Sequence, residues 1–133
     1  EAEWEKAARG TSVIAYPWGD QRVDCTLANW DPGIAPCVGD TSMVGSYPLG
    51  ASPYGVMDMA GNVWEWVNDW YSSSYYSVSH YSNPPGPATG VNKGVRGGSF
   101  QSGTPFVLRV AYRGVYNVPS YQYYTYGIRC VVP

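Results

Sequence analysis

Hydrophobic positions are patterned differently in successive stretches of the chain. Residues 1–10 place Trp4, Ala7 and Ala8 at helical spacing among charged neighbours. Ala and Glu favour helix, acids fill the first turn, Arg9 stands in the last, and Gly10 is a stop signal. A short helix is therefore expected to end at Gly10. No capping residue precedes Glu1, which predicts that the chain is a fragment or a processed product. Positions 11–56 lose periodicity. Tyr16-Pro17-Trp18-Gly19, Asp31-Pro32-Gly33, Tyr47-Pro48-Leu49-Gly50 and Ser52-Pro53-Tyr54-Gly55 predict turns joined by short extended pieces. From Val63 the pattern alternates with period two, so Trp64, Trp66 and Asn68 share one face of a strand and Val63, Glu65 and Val67 the other. Residues 72–92 are Ser, Tyr, Pro, Gly and Asn in the main and predict a long surface loop. Residues 94–100, 108–112 and 126–132 are the remaining strand candidates.

The length of 133 residues suits one domain with a single core, and the chain is taken as one unit, 1–133. Eight Lys and Arg against ten Asp and Glu leave a net charge of -2, which argues against a nucleic-acid binder. No apolar run is long enough to span a membrane as a helix. One histidine, His80, and three scattered cysteines do not make a zinc cluster. Cys25 and Cys37 flank a turn-rich loop. They suit a local disulfide better than a metal pair, and a disulfide implies an extracellular or cell-surface setting. Cys130 is then either a buried thiol or the partner of a residue outside this stretch. The aromatic content changes the picture most. All six Trp lie between positions 4 and 70, whereas six of the 13 Tyr lie between 112 and 126. The first distribution suits a core and the second a contact surface.

Several motifs occur in a fixed order: Glu1-Ala2-Glu3-Trp4-Glu5, Ala7 to Gly10, Tyr16 to Gly19, Ala28-Asn29, Asp58 to Trp66, Arg96 to Phe100, and Gly127 to Cys130. Together they resemble the formylglycine-generating enzyme/sulfatase-modifying-factor family. The resemblance implies an α+β, C-type lectin-like fold with short antiparallel strands, little helix and long loops. It also implies that about the first third of the domain precedes Glu1. By the family's spacing its two copper-holding cysteines correspond to Ser102 and Val107. A hydroxyl and an isopropyl group cannot supply thiolate chemistry, so neither copper nor a catalytic residue is expected. The iron-dependent sulfoxide synthases of the same fold need several histidines, and this chain has one. A calcium loop is implied by Asp58 and Glu65 as carboxylate ligands with the carbonyls of Gly61 and Val63. The alternative is that both carboxylates hydrogen-bond to loop amides with no ion. A second family calcium site points to Asn29.

Between positions 99 and 129 the family framework persists at Leu108, Arg109, Ala111, Arg113, Gly127 and Arg129. The intervening residues could each arise from an Asn codon by changing its adenines. This resembles the variable region of diversity-generating retroelement proteins, which display varied side chains on the same fold. The implied ligand-binding positions are Ser102, Thr104, Phe106, Val107, Tyr112, Tyr116, Asn117, Ser120, Tyr121, Tyr123 and Tyr124. Pro119 and weak alternation predict a loop over 114–126. A loop can turn Tyr116, Tyr121, Tyr123 and Tyr124 outward beside Phe106 and Val107. Arg109 and Arg113 are expected to be part-buried framework. The leading expectation is a non-enzymatic module for a protein or small ligand. The alternatives are an enzyme or accessory of the family, and a surface or assembly protein. Pairing with a second copy or with the preceding segment would cover an open sheet edge.

Overall fold

A computed structural model describes residues 1–115 and 118–131. Helix α1 spans Ala2–Arg9 and stops where expected: Gly10 adopts φ 64° and its N–H donates to the Lys6 carbonyl at 2.9 Å. Four strands follow: β1 (Trp64–Trp70), β2 (Lys93–Arg96), β3 (Gly114–Val115) and β4 (Tyr126–Ile128). They form one sheet in the order β3-β2-β1-β4. β2 lies antiparallel to β1 and to β3, but β4 runs parallel to β1, so the sheet is mixed and not purely antiparallel.

The strand expected over 108–112 is absent. Pro105 opens a 3-10 turn, Pro105–Leu108, and the Thr104 hydroxyl caps it by accepting from the Phe106 N–H at 3.4 Å. Pairing resumes only at Gly114. A side chain there would collide with Val95 and the Trp64 ring, so glycine lets β3 approach. The strand expected over 94–100 begins one residue earlier and ends at Arg96. Gly97 and Gly98 follow with φ of 88° and 76°, a conformation that costs other residues free energy. At the last strand, regular pairing covers three residues, Tyr126–Ile128, within the expected 126–132. Residues 72–92 form the long loop that the composition predicts, with one short 3-10 turn at Tyr75–Ser77.

The core has two clusters. Tyr16, Val23, Ala28, Trp30, Ala60 and Leu108 make one; Trp4, Ala8, Met59, Val67 and Val110 make the other. Between them, residues 60–62 stitch remote segments together. The Gly61 N–H donates to Gly97 and the Asn62 N–H to Asn29, while the Asn62 carbonyl accepts from Phe100, each at 2.8 Å. A Cβ on Gly61 would stand 2.3 Å from the Asn29 carbonyl oxygen, so only glycine fits this crossing. Cys25 and Cys37 form a disulfide, which ties the loop between them to the core beside Trp30. Cys130 is exposed, which removes the buried-thiol alternative.

Candidate functional site

Strand β1 separates two environments by alternation. Glu65 and Val67 face α1. The Glu65 carboxylate accepts from Trp4 Nε1 at 2.6 Å and from Arg129 at 2.7 and 3.1 Å. Behind this, Arg96 is fully buried. It donates to Glu5 at 2.6 Å and to the carbonyls of Val110 and Tyr112 at 2.8 and 2.9 Å. Arg113 grips both Glu1 oxygens, at 2.8 and 2.9 Å, and the Ser72 carbonyl. Burial alone would raise the Glu1 carboxyl, but the hydrogen bonds from Arg113 and the charges of Arg96 and Arg113 outweigh it and hold it below the ordinary range.

Trp64 and Trp66 face the other way and carry a ladder of rings. Tyr112 packs on Trp64 at 6.0 Å, and Phe106 meets Tyr112 edge-on at 5.4 Å. On the neighbouring rung Tyr126 packs on Trp66 at 5.4 Å, and Tyr121 meets Tyr126 edge-on at 5.6 Å. Tyr123 then stacks on Tyr121, Tyr124 lies 4.3 Å from Tyr123, and Phe100 closes the row under Tyr124. Gln101 Nε2 donates to the Tyr124 hydroxyl at 2.7 Å. The hydrogen bond from Tyr123 to Tyr124 holds the Tyr123 phenol above its usual pKa. The outer rings are open to solvent: Tyr121 by 38%, Tyr123 by 47%, Tyr124 by 57% and Phe106 by 53%. Paired rings restrain one another, so this exposed area costs little further ordering when something binds.

The ligand-binding positions implied by the sequence divide unevenly over this surface. Thr104, Phe106, Ser120, Tyr121, Tyr123 and Tyr124 are exposed; Val107 and Tyr112 are half-buried. Tyr116 and Asn117 lie outside the described residues. Ser102 is a correction: it is buried, and its Oγ accepts from the Ser99 N–H at 2.9 Å, so its hydroxyl is used in holding a turn. Arg109 is a second correction. It follows the Pro105–Leu108 turn, is exposed, and lies with its guanidinium 5.1 Å over the Phe106 ring. Arg113 is half-buried framework as expected, and Arg96 takes the buried role that Arg109 does not. Gln101 was overlooked in the sequence. Its place beside Phe100, at the end of a recognisable motif, was the available signal.

The calcium positions also differ from one another. Asp58 Oδ2 accepts from the Gly45 N–H at 2.7 Å. Glu65 is taken by Arg129 and Trp4, and Arg129 also reaches the Met57 carbonyl at 3.0 Å. A guanidinium thus stands against this loop, on the Glu65 carboxylate and the Met57 and Asp58 carbonyls. Asn29 is different. Its Nδ2 donates to the Asp40 carbonyl, but its buried Oδ1 has no hydrogen-bond partner. An orphaned amide oxygen fits an oxygen-seeking cation. Among the described residues no group of three or more His, Cys, Asp or Glu gathers, and no helix is long and apolar enough to cross a membrane.

Among the described residues, a small mixed sheet, one short α-helix and long loops make the α+β, C-type lectin-like arrangement. The whole chain, residues 1–133, matches the sulfatase-modifying factor enzyme 1-like domain, and the protein belongs to that family. It is 43% identical, over 98% of its length, to serine/threonine-protein kinase pkn1 of Chlamydia caviae, of which it covers 20%. It is 39% identical, again over 98%, to the formylglycine-generating enzyme of Streptomyces coelicolor, of which it covers 44%. Among solved structures, variable protein 1 of Treponema denticola superposes with a TM-score of 0.73 at 27% identity, over 96% of this chain and 44% of that one. The chain therefore spans less than half the length of each of these relatives.

Proposed function

We propose that this chain is a non-enzymatic binding module that displays a tyrosine-rich face on a C-type lectin-like scaffold. The carrying observation is the row Tyr121, Tyr123 and Tyr124, exposed yet mutually stacked and seated on Tyr126, Trp66 and Phe100. Exposed, pre-ordered aromatic area is what a contact surface needs. Ser102 and Val107, at the positions of the family's copper-holding cysteines, support an activity other than thiolate oxidation. The likeness to a variable protein of Treponema denticola supports display of changing side chains. The disulfide supports an oxidising setting outside the cytosol.

The 39% identity to a formylglycine-generating enzyme favours a second reading, catalysis on a cysteine-containing peptide. Incubating the protein with copper and a sulfatase-type peptide separates the two, because conversion of the cysteine would overturn the binding-only reading. A near-copy of the 3′ coding end, differing at adenines and lying beside a reverse transcriptase gene, would establish diversification. The orphaned Asn29 Oδ1 supports calcium at the second family position in preference to the Asp58–Glu65 loop. Chelator should then lower the melting temperature, Asn29→Ala should remove that response, and Glu65→Gln should retain it.

A further inference from the structure

Charge is distributed very unevenly along this sequence. All ten acidic residues lie between Glu1 and Asp69, and none follows; five cations, Lys93, Arg96, Arg109, Arg113 and Arg129, occupy the remainder. Four of these have partners. Arg96 is bound by Glu5, Arg113 by Glu1 and Arg129 by Glu65; Lys93 donates to the Asn68 carbonyl and lies over the Trp70 ring. Arg109 has only the Phe106 face, among the described residues, and it is exposed. Stacking on a ring orients a guanidinium while leaving its N–H edge free for a planar acceptor. Phe106 joins the aromatic face through Tyr112 and Trp64, and Trp66 stands two residues along the same strand, about 7 Å away by strand geometry.

We propose that the aromatic face binds an acidic polypeptide segment, with one Asp or Glu carboxylate paired to Arg109 and adjacent apolar side chains lying on Tyr121, Tyr123 and Tyr124. This rests on the binding-module reading and adds the class of ligand. Arg109, alone among the five C-terminal cations in lacking a hydrogen-bonded partner among the described residues, suits an isolated carboxylate, whereas an anionic bilayer or nucleic acid needs several cations acting together. The tyrosine hydroxyls and Gln101 supply hydrogen-bond donors and acceptors suited to a peptide backbone.

The test is selection of short random peptides displayed on phage against the immobilised protein, followed by titration of the enriched peptides in solution. Enriched sequences should carry Asp or Glu near an aromatic or aliphatic residue. Replacing that acid by its amide should weaken binding about tenfold, and added salt should weaken the parent peptide more than the amide. Arg109→Glu should fold normally, because its side chain makes no hydrogen bond among the described residues, and should shift selection toward Lys and Arg. Enriched peptides without acidic bias, indifferent to Arg109→Glu but lost in the Tyr121, Tyr123 and Tyr124 to Ser variant, would overturn the acidic class and leave the binding face standing. Enrichment of no peptide would overturn both. Arg109-dependent binding to phosphatidylserine vesicles, with none to peptides, would replace the polypeptide by a membrane surface.

Discussion

The two faces of strand β1 are made from neighbouring residues and serve opposite ends. On the face toward α1, Glu65 and Val67 meet Trp4, Ala8 and Arg129, and the nearby arginines are matched to carboxylates. On the other face, Trp64 and Trp66 support rings that make few polar commitments and become progressively more exposed outward. The contrast shows how one strand separates a charge-paired, hydrogen-bonded side from an exposed aromatic one. Changing a buried charge on the first face strands its partners, whereas changing an outer ring on the second removes ring contacts and, at Tyr123 and Tyr124, exposed hydrogen bonds. A fold built this way tolerates variation on one side of the sheet and resists it on the other.

The largest effect should come from breaking the first face. Arg96→Met leaves the buried Val110 and part-buried Tyr112 carbonyls without this donor and Glu5 with Arg9 alone, which should cost about 3–5 kcal/mol in chemical denaturation. Loss within error of zero would mean that Arg96 fills space and does not hold the network. Gly61→Ala comes next. Its Cβ would collide with the Asn29 carbonyl, and its φ of 78° disfavours a side chain, so a loss of about 2–4 kcal/mol is expected. A soluble variant with unchanged melting would show that the 60–62 crossing can shift.

Acid should sharpen the comparison further. Glu1 is held below its ordinary value of 4.5, so the stability from its ionised form is complete above that pH and is lost as pH falls through the lowered folded value. The melting temperature should decline below about pH 4.5, and Glu1→Gln should be less stable near neutrality with a shallower acid decline. An acid profile identical to that of the parent would remove Glu1 from the network. The smallest effects belong to the second face. Replacing Tyr121, Tyr123 and Tyr124 by Ser should cost about 1 kcal/mol or less in total, and Arg109→Ala no more than about 0.5 kcal/mol. Global unfolding of the triple variant would show that the outer rings belong to the core after all.

Much of the framework was legible in the residues alone. The helix ending at Gly10, the alternation from Val63, the disulfide loop and the outward turn of Tyr121, Tyr123 and Tyr124 all follow from local chemistry. Helical spacing, period-two alternation, and Gly and Pro preferences act over a few residues and leave their mark in the sequence. The partners of charged groups do not. Glu65 meets Trp4 across 61 positions, and Glu1 meets Arg113 across 112. The sequence offered Arg109, Arg113 and Arg129 as similar framework cations and Arg96 only as the first residue of a motif. Tertiary packing alone decided that Arg96 is sealed in the core and Arg109 is left in solvent. It also turned the Ser102 hydroxyl inward, moved the third strand to Gly114, and set Glu65 against a guanidinium. Local preference chooses the conformation of a segment, but the cost of burying an unpaired charge or hydroxyl is settled only when distant segments meet.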